Sequence, residues 1–200
     1  MTGYLSRPAV VIQVKATEPT KEPIMTRLNI FATTVAPKLV KHLVAADRVV
    51  HESPLPRSTV ELVNIRASQI NGCGACLDMH VKDAAAAGVS SLRVSLVGAW
   101  RETTVYTDAE RAALALTEAG TRMADGTGVP DEVWADAAQH YDDEQLAALL
   151  AQIALINAFN RLNVMAQVQG GSYDPARRAA VLEAATSGID PATVAAAASA

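Results

Sequence analysis

Cys73-Gly74-Ala75-Cys76 followed by His80, with Glu61 twelve residues ahead of the first sulfur, is the part of this sequence that could do chemistry. The chain has only these two cysteines, so any sulfur chemistry is gathered at this one place. On a helix, positions 73, 76 and 80 stand at i, i+3 and i+7, so both sulfurs and the imidazole share one stripe and can form one site. Cys73 would open that helix and Cys76 would sit in its first turn, where unpaired amide donors and the positive end of the dipole favour a thiolate. Bringing a thiol pKa from about 8.5 to about 7 takes roughly 2 kcal/mol of preferential anion stabilisation. A helix terminus contributes about 0.3–1 kcal/mol of that, so a further group is required.

His80 is that group, because one turn after Cys76 it can accept or return the thiol proton and, when protonated, stabilise the adjacent anion. Glu61 falls on the preceding helix, and a chain reversal at Asn71-Gly72 would bring its carboxylate back beside the sulfurs to orient the imidazole or receive a proton. Such a thiolate, oxidised by a hydroperoxide, becomes a sulfenic acid. The second thiol condenses with it to a disulfide, and an external reductant resets the pair. The same residues also allow plainer readings. Cys73, Cys76 and His80 could hold zinc, but a closed structural site takes four ligands and the sequence has no second Cys-x-x-Cys or His pair. A passive disulfide or two core thiols would also account for the cysteines. His42, His51 and His140 lie in no such pattern and read as surface or capping residues, and Trp100, Trp134 and Phe159 read as packing residues.

The elements that must position these groups read as helices. Of the 200 residues 50% are hydrophobic but only 4% aromatic, because alanine supplies much of the apolar share and favours helix over strand. The fold class is therefore expected to be all-α. A helix is expected over residues 36–50, with Leu39, Val40, Leu43, Val44 and Ala46 at three-four spacing, and a second over 56–70, with Val60, Val63, Ala67 and Ile70 on its buried stripe. The helix opened by Cys73 should stop at Gly88, and Ser90 should cap another toward Trp100. Thr107 with Glu110 forms a capping box, residues 125–130 a loop, and residues 131–140 a short helix. Asp142 or Asp143 then caps the longest pattern, 144–168, closed by Gly170-Gly171. This pattern is apolar nearly all round, which predicts a central helix and contacts between subunits. Residues 1–24 read as an arm with a short strand at 9–14 and an irregular stretch at 17–23, residues 25–169 as one domain, and 170–200 as a last helix and tail.

The formal net charge of −4, without a block of like charges, gives no footprint for nucleic acid or a polybasic membrane anchor. No run of 18 apolar residues and no secretory signal pattern is seen, so the expected compartment is the cytoplasm. Thiols there are kept reduced, and a close cysteine pair is then expected to be catalytic or metal-binding rather than a permanent crosslink.

The run from Glu61 through Asn71-Gly72 and Cys73-Gly74-Ala75-Cys76 to His80 resembles the core of the alkylhydroperoxidase D family, within the carboxymuconolactone decarboxylase-like superfamily. Residues 99–102, 110–118, 128–132 and 156–163 are similar to further family segments, so that roughly residues 25–169 are covered. The resemblance implies an all-α helical bundle in which a helical hairpin carries the dithiol, assembled as a trimer or hexamer. It implies Cys76 as the peroxide-attacking thiol, Cys73 as the resolving thiol and proton donor, and Glu61 and His80 as the proton relay, with no bound cofactor or metal. Ala75 stands where the best-known members carry a relay histidine, so no relay can pass through that position here.

The function so implied is thiol-dependent peroxidase or disulfide reductase, acting on organic hydroperoxides or a peroxiredoxin partner and reset by dihydrolipoamide, a lipoylated protein or thioredoxin. Two alternatives remain open on the residues: a carboxymuconolactone decarboxylase-type lyase, which has no use for two thiols, and a non-catalytic redox-sensing helical oligomer.

Overall fold

A computed structural model of the chain describes residues 26–126 and 128–176. The strand expected at 9–14, the irregular stretch at 17–23 and all but the start of the last expected helix lie outside them. Within the described residues the chain is all-α: α1 (Val35–His51), α2 (Arg57–Asn71), α3 (Gly74–Ala86), α4 (Ser91–Leu96) running into a 3-10 segment (Val97–Glu102), α5 (Asp108–Thr121), α6 (Asp131–His140) and α7 (Asp143–Ala166).

Local chemistry sets most of these boundaries. Thr107 accepts the amide of Glu110 while the Glu110 carboxylate accepts the amide of Thr107, and Asp142 and Gln145 do the same at the head of α7, so each reciprocal pair satisfies two orphan donors. Ser90 caps α4 by accepting from the Arg93 amide. Thr107→Ala removes one cap acceptor and is expected to lower stability by about 0.5–2 kcal/mol in chemical denaturation at unchanged m-value.

Packing places α2 at the centre. Val60 and Val63 join Leu116 of α5 and Leu149 and Ile153 of α7 in one cluster, while Leu62 and Ile65 join Val97, Trp100 and Leu114 in a second. Ala67 meets Ile156 and both cysteines in a third. Every residue from Thr59 to Ile65 is buried, including Glu61 and Asn64, so α2 is enclosed by α3, α5 and α7. The apolar pattern of α7 predicts that helix as the enclosed one, but Leu150, Val164 and Met165 are exposed. Among the described residues one flank of α7 has no partner, whereas α2 has a neighbour on each side. By length and composition alone α7 could cross a bilayer; its packing against α1, α2, α3, α5 and α6 accounts for the same apolarity as that of a core helix. α7 also stops earlier than expected, at Gln167 in the left-handed conformation rather than at Gly170-Gly171. On α1 the expected stripe is only partly used, with Val40 and Leu43 half-buried and Leu39, Val44 and Ala46 exposed, while Val50 at its end is buried; Trp134 on α6 is exposed rather than packed.

A buried charge cluster ties the second core together. Glu118 of α5 accepts from Arg66 Nε of α2 (2.7 Å), Trp100 Nε1 (3.0 Å) and Arg101 Nη1 (2.5 Å), and the Arg101 guanidinium lies 4.1 Å over the Trp100 ring. Burial pushes the Glu118 carboxyl up, but the bonds from Arg101, Trp100 and Arg66 more than offset it, and the net pKa lies below its ordinary 4.5.

Candidate active site

The hairpin that presents the cysteines follows from the backbone at Gly72 and Cys73. Gly72 ends α2 at φ +68°, a left-handed conformation that glycine adopts without steric cost, and Cys73 follows in an extended conformation as the N-cap of α3. Its sulfur takes the place of the usual cap oxygen and accepts the Cys76 amide at 3.3 Å. Cys73 and Cys76 are joined by a disulfide with their Cα atoms 5.4 Å apart, and both are about 1% exposed. Cys73 thus lies just outside the helix and Cys76 in its first turn.

Glu61 and His80 meet across the hairpin. His80 Nδ1 lies 2.9 Å from Glu61 Oε2, and because a carboxylate oxygen can only accept, Nδ1 is the donor and Nε2 is left to exchange a proton. His80 stands one turn beyond Cys76 on α3, so the carboxylate fixes the imidazole on the helix that bears the sulfurs. The other oxygen of Glu61 lies 2.9 Å from Arg57 Nη2, and the same oxygen has no aligned hydrogen bond, so the Arg57 contact is an ion pair off the donor axis. Asp83, one turn further along α3, accepts from the Tyr173 hydroxyl at 2.7 Å. Glu61, His80 and Asp83 each present a donor atom within 4.8 Å of the others, which is the spacing of a metal site as well as of a proton relay. Each of the three already has a protein partner. The zinc arrangement on Cys73, Cys76 and His80 has no thiolates to use while the sulfurs are joined.

A residue that spacing around the cysteines could not nominate completes the site. Asn163 of α7 donates from Nδ2 to Cys76 Sγ at 3.3 Å. It ends a polar seam between α2 and α7: Gln152 donates to Asn64 (2.7 Å), Asn160 to Ser68 (3.0 Å), and Asn71 to both Asn157 and Asn160 (2.9 Å each). Gln152, Asn157, Asn160 and Asn163 recur at three- to five-residue steps along a stretch of α7, Leu146 to Ala166, whose other residues are apolar except Arg161, and that periodicity was the available signal. Although Asn64 Nδ2 and Gln152 Oε1 of the first pair make no bond among the described residues, the bonds that are made tie α2 and α7 in one register, and the register sets Asn163 against the sulfur.

The segment after α7 folds back over the disulfide. Gly170 lies so close to the start of α3 that a Cβ there would stand 2.4 Å from the Gly74 carbonyl oxygen. Asp78 Oδ2 accepts the amides of Gly171 (2.7 Å) and Tyr173 (2.9 Å), and Lys82 donates to the Tyr173 carbonyl (2.6 Å) while pairing with Asp78 (2.7 Å). The Lys82 ammonium, then the Tyr173 and Gly171 amides, hold the Asp78 carboxyl below its usual range despite burial. Residues 170–173, expected in a separate C-terminal segment, are thus laid against the α3 that carries Cys76 and His80. Between this strap and the cysteine turn lies a cavity of about 330 Å³, lined by Cys73, Asn163, Gln167 and Gln169 among others.

The described geometry joins known proteins at three levels. The model of the carboxymuconolactone decarboxylase family matches residues 37–119. The uncharacterized protein YdfG of Bacillus subtilis is 38% identical over 130 residues, 65% of this chain and 88% of its own length. Among solved structures, a protein of unknown function from Agrobacterium tumefaciens whose description names it an AhpD antioxidant defence protein is 36% identical, with a TM-score of 0.69 over 74% of this chain and all of that one. A peroxidase-related AhpD core protein from Ralstonia eutropha shares the fold at 16% identity and a TM-score of 0.60, over 68% of this chain and 72% of that one.

Proposed function

Because the chain belongs to the carboxymuconolactone decarboxylase family, on its AhpD-like side, we propose that it is a thiol-dependent peroxidase that cycles Cys73 and Cys76 between dithiol and disulfide. The observation that carries this reading is the buried Glu61–His80 hydrogen bond one helical turn beyond a closed Cys73–Cys76 pair.

In the reduced protein the Cys76 thiolate, faced by the Asn163 amide and the helix N-terminus, attacks the distal oxygen of a hydroperoxide. The O–O bond breaks, the alkoxide takes a proton from His80 and leaves as an alcohol, and Cys76 becomes a sulfenic acid. Cys73 then attacks that sulfur, releasing water and closing the disulfide. Two electrons from an external dithiol such as dihydrolipoamide or thioredoxin restore the pair, so no bound cofactor is needed. An oxidised peroxiredoxin could take the place of the hydroperoxide: the Cys76 thiolate attacks its disulfide to form a mixed disulfide, and Cys73 then displaces the reduced peroxiredoxin as the Cys73–Cys76 bond closes. Glu61 keeps Nδ1 of His80 protonated, so that the proton traffic passes through Nε2. A cytoplasmic location and assembly with further copies belong to the same proposal, the second supported by the exposed Leu39, Val44, Leu150, Val164 and Met165.

The test is steady-state consumption of an organic hydroperoxide with dihydrolipoamide, thioredoxin and glutathione in parallel. Sustained turnover with at least one reductant is expected, and Glu61→Gln should lower kcat by about 10²-fold or more. Oxidation that stops after one equivalent under every reductant would leave only the redox-sensor reading. A lactone decarboxylase would keep its rate in Cys73→Ser.

A further inference from the structure

The two sulfurs have unequal surroundings, and the difference sets a direction for the reducing half of the cycle. Cys73, and not Cys76, is among the described residues lining the cavity of about 330 Å³ under the strap. Cys76 is the sulfur that receives the Asn163 amide proton at 3.3 Å. In thiol–disulfide exchange the attacked sulfur must be reachable and the departing sulfur must carry negative charge well. Each sulfur accepts one amide at 3.3 Å, Cys73 from the Cys76 backbone and Cys76 from Asn163, and both residues are about 1% exposed, so the asymmetry that sets the direction is the cavity, which Cys73 alone of the two lines.

We infer that this cavity is the entry site of the reducing thiol, which attacks Cys73 Sγ and expels Cys76 as a thiolate held by Asn163; the inference rests on the disulfide-cycle reading of the site. The incoming thiolate forms a bond to Cys73 Sγ as the Cys73–Cys76 bond breaks, and the electron pair of that bond stays on Cys76. A second thiol of the reductant then displaces Cys73, leaving the reductant as its disulfide, and the two released sulfurs take up protons. Peroxide reduction and thiol reduction therefore begin at opposite sulfurs, Cys76 for the first and Cys73 for the second.

The wall of the cavity also defines what fits. Gly72, Gly74 and Gly170, the amide-bearing Asn163, Gln167 and Gln169, and the apolar Val164 and Val168 line it, with no charged residue among the described lining residues. Peptide and amide groups pair with hydrogen-bonding groups, and an ionic headgroup finds no counter-charge there. The reductant class is thus an uncharged thiol that joins a short apolar stem to an amide or hydroxyl group.

The oxidised full-length protein is exposed briefly to N-acetylcysteamine, quenched with excess N-ethylmaleimide, and mapped by peptide mass spectrometry. The acetylcysteamine adduct is expected on Cys73 and the maleimide on Cys76, at least tenfold over the reverse pattern. An adduct on Cys76, or an even division, overturns the assignment. In a second arm, reduction by N-acetylcysteamine should outpace reduction by mercaptosuccinate at least tenfold at equal thiolate concentration, and equal rates would overturn the ligand class. The mapping needs no peroxide. A Cys73 adduct without peroxide turnover would remove the peroxidase reading and leave this site standing, while turnover with a Cys76 adduct would do the opposite.

Discussion

Cys76→Ser is expected to reduce hydroperoxide consumption by about 10³-fold or more, to the rate of the reductant alone, because a serine hydroxyl is not ionised near neutrality and cannot attack the peroxide oxygen. Cys73→Ser should fail differently. It keeps the attacking sulfur, so it should consume one equivalent of hydroperoxide in a burst and stop, with a sulfenic acid on Cys76 that dimedone labels. The contrast follows from position. Cys76 sits within the first turn of α3 with the Asn163 amide 3.3 Å away, and His80 follows one turn later with its Nδ1 tied to Glu61. The burst separates two orders of attack that the helix end alone leaves equal: a burst in Cys76→Ser and none in Cys73→Ser would reverse the roles, and unchanged turnover in both would remove the dithiol from the reaction.

Glu118→Ala is expected to cost about 3–5 kcal/mol of stability, because it leaves the largely buried Arg66 guanidinium without its counter-charge and strips Trp100 Nε1 of its acceptor. For a chain of this size that corresponds to a fall in Tm of roughly 6–20 °C. Most of the cost comes from Arg66 and Trp100; Arg101 and Arg122, which are 57% and 45% exposed as side chains, keep access to water. The pH dependence has a definite sign. The folded pKa of Glu118 lies below the ordinary 4.5, so its stabilisation is fully present above about pH 4.5 and is lost as pH falls through the lower folded value. Thermal melts of wild type and Glu118→Gln between pH 7 and pH 3 should therefore converge at the acid end. A constant gap across that range would show that the charge of Glu118 does not carry the effect.

Much of the frame could be read before any fold was known. The Thr107–Glu110 box, the Ser90 cap and the Asn71-Gly72 reversal are set by residues within four positions of one another, and local hydrogen bonds do not depend on what packs around them. The spacing of Cys73, Cys76 and His80 is equally local, since a helix places them on one stripe whatever its neighbours. Glu61 was reachable because a single tight turn separates its helix from theirs.

What lay beyond local reach was every contact made at long range. Asn163 is 87 positions from Cys76, and no rule of periodicity says which side chain of α7 meets which turn of α3. The same holds for Glu118 against Arg66, and for Tyr173 reaching back 90 positions to Asp83. The enclosure of α2 rather than α7 was hidden for a related reason, since hydrophobicity states how much surface a helix must bury but not which neighbours are present to bury it. By itself, then, the sequence determined the helices, their caps and the dithiol with its imidazole. Only the tertiary structure decided which cysteine lines the cavity and which sulfur accepts the Asn163 amide, because that asymmetry arises from the register of α7 on α2 and from the strap that follows it.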